Sequence, residues 1–359
     1  MQKTLNIGFI GCGSIANSKH FKAQKRLQDE GKVKMVAFCD LIVERAQKAA
    51  REYGWEGAAV YEDYRELLVR EDIDVVHVLT ENAGHAPISI AALRAGKHVM
   101  CEKPMAKTYA EACQMLKAAQ ESGKKLTIGY QTRFSKESLM AKQLCDAGEL
   151  GEIYYARASY TRRRGAPIRG AFLSQEKQGG GPLIDIATHA LDRTLWHMNN
   201  YEPDRVLGAA FTKLNNGTKA NSYGPWDPEQ YTVEDSAFAH VRMKNGAVIM
   251  IECSWLLNMD IPNANVLCGT KAGVDFFDGL NINYEKNGVL YKSKLEPTRH
   301  NVELAQGRDL WQKDLEAECF YRTIVDDTDP IVLPEQALVV SQILEGIYIS
   351  SKTGKEYIF

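Results

Sequence analysis

Short apolar runs alternate with helical periodicities along the first third of the chain. Runs at Leu5–Ile10, Val33–Cys39, Val75–Leu79, His98–Cys101 and Leu126–Gly129 predict strands. Amphipathic stretches near Ile15–Gln28, Ile42–Tyr53, Ala86–Ala95 and Tyr109–Ser122 predict helices between them. Strands of a few almost wholly apolar residues, each followed by a helix, imply βαβ units and a parallel sheet covered on both faces.

The pattern changes after about Tyr130. A helix is predicted near Ser135–Asp146, then a strand at Ile153–Thr161, then a glycine run, Gly179-Gly180-Gly181-Pro182, that opens a helix reaching about His197. From Val206 to Leu295 strands recur at hairpin spacing, punctuated by Lys244-Asn245-Gly246 and Lys286-Asn287-Gly288. Helices near Leu310–Asp326 and Pro334–Ser351 close the chain. The fold class that follows is α/β. Residues 1–130 form a doubly wound parallel sheet, and residues 131–359 an α/β domain with a large, mostly antiparallel open sheet. The C-terminal helices can return to the first domain.

Composition narrows the function classes. The 359 residues suffice for two cores, and a net charge of −2 argues against a nucleic-acid partner. No window holds about 18 consecutive apolar residues, so no membrane span is expected. The N-terminus has no secretory pattern, which makes the expected location cytoplasmic. The eight cysteines are scattered without a CxxC pair and read as buried thiols of a reducing compartment, with no disulfide framework or zinc site.

The first predicted strand ends at Gly11-Cys12-Gly13-Ser14-Ile15-Ala16, and a helix pattern follows at once. Gly11 permits the tight turn, Gly13 leaves room for a pyrophosphate against the backbone, and Ala16 is small enough for helix to pack on strand. The amides of Ser14 and Ile15 open the helix and favour a phosphate there. The second strand ends at Asp40, placed to accept from ribose hydroxyls and to repel a 2′-phosphate, which favours NAD over NADP. Arg45 lies one turn on and can soften that preference. Asp40 as an N-cap of the following helix is the alternative. Thr80, Asn82 and His85 follow the strand at Val75–Leu79, where ligands bind in open α/β sheets, and are candidate contacts on the nicotinamide side. Asn82 as a helix cap is the alternative.

The strand at His98–Cys101 leads into Glu102-Lys103-Pro104. A lysine at a strand end can polarise a substrate oxygen as hydride leaves carbon. Pro104 permits a cis peptide. After the glycine run, Asp185 and His189 are four residues apart and share a helix face, with Asp192 near it. That makes His189 a candidate proton acceptor. A structural histidine with an acidic neighbour, or a metal set of Asp185, His189 and Asp192, are the alternatives, and no further ligand cluster supports a metal. The enzymatic reading needs Lys103 and His189 to act on one alcohol.

Together, GCGSIA, Asp40, Glu102-Lys103-Pro104 and GGGPLIDIATH resemble the glucose–fructose oxidoreductase, inositol dehydrogenase and rhizopine-catabolism (Gfo/Idh/MocA) family over nearly the whole chain. The resemblance implies a Rossmann domain that binds NAD, followed by an α/β domain whose open sheet packs in oligomers. It implies reversible oxidation of a sugar, glycoside or cyclitol hydroxyl. Lys103, Asp185 and His189 then become catalytic: His189 as base, Asp185 as orienting group, Lys103 on the reacting oxygen. Glu102 and Gln131 are expected on the cofactor side and Arg133 on the substrate side; Tyr160 and the Arg162-Arg163-Arg164 run after it are further candidates for the substrate side, with a solvated loop or an oligomer contact as the alternative for the arginines. Ala187 stands where the family motif commonly has glycine. The stretch YGPWDPEQYTVEDSAF is similar to bacterial glycoside 3-oxidases. A homodimer or homotetramer is expected. The competing functions are an NAD-dependent glycosidase working through a transient ketone, and a non-catalytic NAD-bound sugar sensor.

Overall fold

The computed structural model describes residues 3–216, 220–297 and 310–359. The chain forms two compact units. One is built on the residues up to Phe134 with a later stretch that ends at Leu338, and the other begins at Ser135 and is completed from Val339 to Phe359. The helix Gln312–Val325 belongs to the first unit, so the chain contributes to that unit a second time. Its Ala317, Phe320, Tyr321 and Ile324 are part of that unit's core.

The first unit holds a six-stranded sheet of β1 (Leu5–Ile10), β2 (Val33–Cys39), β3 (Ala59–Tyr61), β4 (Val75–Val78), β5 (His98–Cys101) and β6 (Leu126–Ile128). Every pairing is parallel, in the order β3-β2-β1-β4-β5-β6. Chain order reverses between β1 and β4, so the loops after these two strands flank the switch point where doubly wound sheets bind ligands. Apart from half-buried Asn6, β1 is buried along its length, because side chains cover both faces. Phe9 stacks on Phe38 at 5.4 Å and meets the edge of Phe21 at 5.1 Å. Burying such a ring contributes roughly 1.5–3 kcal/mol.

Elements of this unit depart from the expected pattern in two ways. β3 and the short helix Tyr64–Leu68 were not predicted, since three half-buried residues and a single helical turn carry no readable period. The helix expected from Ala86 begins at Asn82 and carries Pro87 inside it. Tyr109–Ser122, by contrast, lies where predicted, opened by a Thr108/Glu111 capping box.

The second unit carries a nine-stranded sheet of β7 (Ile153–Thr161), β8 (Pro203–Phe211), β9 (Ser236–Met243), β10 (Val248–Ser254), β11 (Val266–Gly269), β12 (Ala272–Asp275), β13 (Leu280–Lys286), β14 (Val289–Leu295) and β15 (Tyr357–Ile358). The order is β14-β13-β12-β11-β7-β10-β9-β8-β15. β7 and β10 pair in parallel, and the remaining described pairs are antiparallel. At the β13–β14 turn Asn287 and Gly288 both have positive φ, 55° and 75°, as a two-residue hairpin of this twist requires. Among the described residues no helix is long and apolar enough to cross a membrane, and all eight cysteines are unpaired.

Candidate active site

The loop after β1 is shaped by its glycines. Gly11 has φ 95°, and a Cβ there would lie 2.6 Å from the Leu79 carbonyl oxygen, so only glycine passes. At Gly13 a Cβ would meet nothing within 4 Å. The backbone there borders open space, as the approach of a pyrophosphate demands. Ala16 is fully buried against the sheet. The helix opens as a wide π turn, Ala16–His20, before the α-helix Phe21–Asp29. Asn17 ties the loop down by donating to the Cys12 and Gly13 carbonyls at 3.0 and 2.7 Å. Ser14 is exposed and Ile15 half-buried at this mouth.

Asp40 follows β2 and accepts the Cys12 amide at 2.7 Å and the Ile42 amide at 2.8 Å. The residue capping the next helix is Ile42, without a side-chain cap bond. Asp40 thus fixes the glycine loop, and two bonds leave its carboxylate with acceptor capacity for vicinal hydroxyls. The open backbone at Gly13 and this half-used carboxylate fit a dinucleotide.

Thr80 and Asn82 stand half-buried after β4, and Gln131 is half-buried in the short turn Gln131–Phe134. Lys103 is also half-buried, and the Lys103–Pro104 bond is cis. Three expected contacts need correction. His85 is 1% exposed, with Nδ1 at 2.8 Å from the Pro104 carbonyl and Nε2 at 3.2 Å from that of Thr80. It braces the loops after β4 and β5 and has no surface for a cofactor. Arg133 is 0% exposed and donates to the Ile331 carbonyl at 3.0 Å and Gln336 Oε1 at 2.6 Å, so it anchors the chain instead of meeting substrate. The Glu102 side chain points into the interior, not toward a cofactor.

Glu102 belongs to a buried ionic cluster that the sequence did not reveal. Its Oε1 lies 2.8 Å from Lys19 Nζ and 2.8 Å from His20 Nε2, and Lys19 also pairs with Glu316 Oε2 at 2.8 Å. His20 Nδ1 is 3.2 Å from His77 Nδ1. Burial would raise the Glu102 carboxyl, but Lys19 and His20 outweigh it and hold it well below the usual range. Burial and Lys19 keep His20 below its ordinary pKa, and burial and His20 do the same to His77. Neutral His20 therefore donates from Nε2 to Glu102 and accepts from His77 at Nδ1. Burial pushes Glu316 up to about 6, although Lys19 opposes this. Through Glu102, the residue before Lys103 is clamped from the glycine-loop helix. Glu102 Oε2 also accepts the Lys103 amide at 3.1 Å.

In the second unit the glycine run is a packing requirement. A Cβ on Gly180 would lie 1.9 Å from the Tyr348 hydroxyl oxygen, and one on Gly181 would lie 2.2 Å from the Glu234 carbonyl oxygen. Glu234, nearly fully buried, accepts the Gly181 amide at 2.8 Å, the Leu183 amide at 3.0 Å and the Tyr348 hydroxyl at 2.9 Å. It occupies the positive start of the helix that carries Asp185 and His189. That helix begins as a π turn, Leu183–Ala187, and continues as Thr188–Met198, so the simple α spacing assumed from the sequence is widened. Such wide turns recur at functional sites.

Asp185 and His189 are half-buried, whereas Asp192 is fully buried. The fully buried Trp255 donates its indole N–H to Asp185 Oδ2 at 3.2 Å. A side chain buried in the core thus holds one oxygen of the Asp185 carboxylate. Tyr160 is half-buried on β7 under the Arg162 guanidinium, 5.5 Å from the ring centroid, and Arg163 is exposed. Among the described residues no group of three or more His, Cys, Asp or Glu side chains is placed to hold a metal ion.

A glycine-turned loop at the switch point, closed by the carboxylate that follows β2, marks the first unit as a dinucleotide-binding domain. Residues 5–130 match the model of an oxidoreductase family with an NAD-binding Rossmann fold, and residues 138–275 match the GFO/IDH/MocA C-terminal domain. The chain belongs to the Gfo/Idh/MocA oxidoreductase family. It is 34% identical over 357 residues to D-glucoside 3-dehydrogenase of Escherichia coli strain K12, covering 98% of this chain and 96% of that protein. It is 37% identical over 197 residues to inositol 2-dehydrogenase of Salmonella typhimurium strain LT2, covering 55% of each. Among solved structures, an oxidoreductase domain protein from Kribbella flavida superposes with a TM-score of 0.87 at 25% identity, covering 100% of this chain and 99% of that one. Levoglucosan dehydrogenase in complex with NADH superposes with a TM-score of 0.84 at 23% identity, covering 99% of each, a likeness of fold.

Proposed function

We propose that this protein is an NAD-dependent oxidoreductase acting on a secondary hydroxyl of a sugar, glycoside or cyclitol, with C3 of a pyranoside as the favoured position. The observation that carries the cofactor half is the Asp40 carboxylate seated on the Cys12 amide of the glycine loop. The substrate half rests on full-length similarity to a protein named D-glucoside 3-dehydrogenase.

Gly11, Gly13, Ser14 and Ile15 would hold the pyrophosphate, and Asp40 the ribose of the adenosine. Thr80, Asn82 and Gln131 would serve the nicotinamide side. When bound, NAD supplies the acceptor for the hydride released as the carbinol carbon becomes a ketone carbon. Lys103 stabilises negative charge on the substrate oxygen, and His189 takes the hydroxyl proton. Asp185, held by Trp255, orients substrate or imidazole. NAD is preferred because Asp40 opposes a 2′-phosphate and the next residues, Leu41 and Ile42, offer it no cation. A homodimer or homotetramer formed through the second unit is supported by its broad open sheet, whose outer strand β14 exposes Val289, Leu290 and Tyr291 together. A monomer in light scattering at micromolar concentration contradicts it.

The test is incubation with NAD and a panel of pyranosides and inositols, following reduced cofactor, ketone product and released aglycone. Cofactor reduction with ketone and without cleavage is expected. Release of aglycone with no net reduction, or no ketone across the panel, contradicts the reading.

A further inference from the structure

A cavity of about 590 Å³ in the second unit is lined by Arg162, Arg163, Arg164, Gly165, Ser222 and Tyr223 among others, with no carboxylate among the described residues that line it. Its walls are tied together. Asn221 Nδ2 donates to the Ala166 carbonyl at 2.9 Å while its Oδ1 accepts the Ala166 amide at 2.9 Å. Ser222 Oγ donates to the Arg164 carbonyl at 2.7 Å. The opposite side is pinned to the strand end after β10. Arg162 N–H donates to the Ser254 carbonyl and Gly165 N–H to the Trp255 carbonyl, both at 2.8 Å.

The three arginines are not equivalent. Arg164 is spent on structure: Nη1 donates to the Arg163 and Leu257 carbonyls at 2.7 Å each, and Nη2 to Asn258 Oδ1. Arg162 commits Nη1 to the Gly165 carbonyl at 3.1 Å and lies over the Tyr160 ring, so part of its donor fork remains. Arg163 is exposed and makes no side-chain bond to the described residues. Two guanidinium groups thus present donors to a cavity whose described lining carries no compensating negative charge. The volume suits a pyranose with a substituent. The strand end that pins this wall is Trp255, whose indole holds Asp185. One residue therefore supports both the cavity and the carboxylate assigned to orient substrate.

The geometry points to an anion subsite: Arg163, assisted by Arg162, binds a carboxylate or phosphate carried by the sugar substrate, so the preferred substrates are acidic sugars or glycosides. This rests on the sugar-oxidoreductase reading above. Guanidinium forks match both anions in bidentate fashion.

Binding to the full chain at saturating NAD is measured by calorimetry for two matched pairs: methyl β-D-glucoside with methyl β-D-glucuronide, and glucose with glucose 6-phosphate. Ketone formation is followed in parallel. The charged member of at least one pair should bind about tenfold more tightly, with the advantage shrinking as salt rises. Which pair shows it separates carboxylate from phosphate. Arg163→Gln should abolish the advantage, and Arg163→Lys should retain part of it. Should the Gln variant not fold, the salt dependence of the wild-type preference decides instead. Equal affinity within both pairs overturns the subsite, as does an advantage that survives Arg163→Gln. Inorganic phosphate binding as tightly as the charged sugars also overturns it, leaving an ion site only. Absence of ketone from every sugar, charged or neutral, strikes the oxidoreductase reading instead, independently of the affinities.

Discussion

The indole N–H of Trp255 donates to Asp185 Oδ2 at 3.2 Å from a fully buried position. A hydrogen bond to a charged group contributes roughly 1.5–3 kcal/mol, and here it also fixes where the carboxylate points. Trp255→Phe keeps an aromatic ring in the core and removes the donor. Turnover should fall about tenfold or more, with KM rising if Asp185 orients substrate. Unchanged kcat and KM in a folded variant would remove Asp185 orientation from Trp255.

Glu234 supports the same helix from its start, accepting two amides and a hydroxyl. Glu234→Ala leaves the Gly181 and Leu183 amides buried without this acceptor, a loss of about 3 kcal/mol or more. Denaturant unfolding should register that loss, and Glu234→Gln, which retains one acceptor oxygen, should recover part of it. Equal stability of all three proteins would show that the helix start needs no anchor.

The Glu316 carboxyl, facing Lys19 and Glu102 with Lys313 beside the same small cavity, is raised from 4.5 to about 6, mainly by burial. A carboxyl whose folded pKa is raised favours the folded state while protonated. Its contribution is complete below 4.5 and is lost as pH rises to about 6. The stability of the wild type relative to Glu316→Gln should therefore decline across that window, by about 2 kcal/mol at most. A difference that is flat with pH, or that grows as pH rises, would contradict the assignment.

What could be read from the sequence was what local pattern encodes. The β1–glycine–helix unit and Asp40 are contiguous signals whose geometry follows from residue size and charge. The alternation of apolar runs likewise located β1, β2, β4, β5 and β6. Partners distant along the chain were not legible. Nothing near Glu102 announces that Lys19 and His20 will pair with it, so the sequence alone places its carboxylate on the cofactor side. His85 and Arg133 look functional because they are polar residues beside strand ends, and only their carbonyl partners reveal bracing roles. The π turns at Ala16–His20 and Leu183–Ala187 also escape a reading based on 3.6-residue spacing.

Asp40 holds the Cys12 amide, and the proposed ribose contact falls on the same carboxylate. Asp40→Ala removes the acceptor of the buried Cys12 amide as well as the proposed ribose contact. NAD affinity should drop about tenfold, discrimination against NADP should narrow, and stability should fall by about 1–3 kcal/mol. Loss of stability with unaltered cofactor preference would confine Asp40 to holding the loop.

The central claim is that Lys103 acts on the hydroxyl oxygen during NAD-dependent oxidation of a sugar. The direct measurement compares wild type and Lys103→Met with NAD and the best-oxidised glycoside, recording ketone formation alongside NAD affinity. A fall in turnover of roughly 10²–10⁴-fold is predicted, with NAD affinity within about threefold of wild type. Near-normal turnover in the variant would contradict the account.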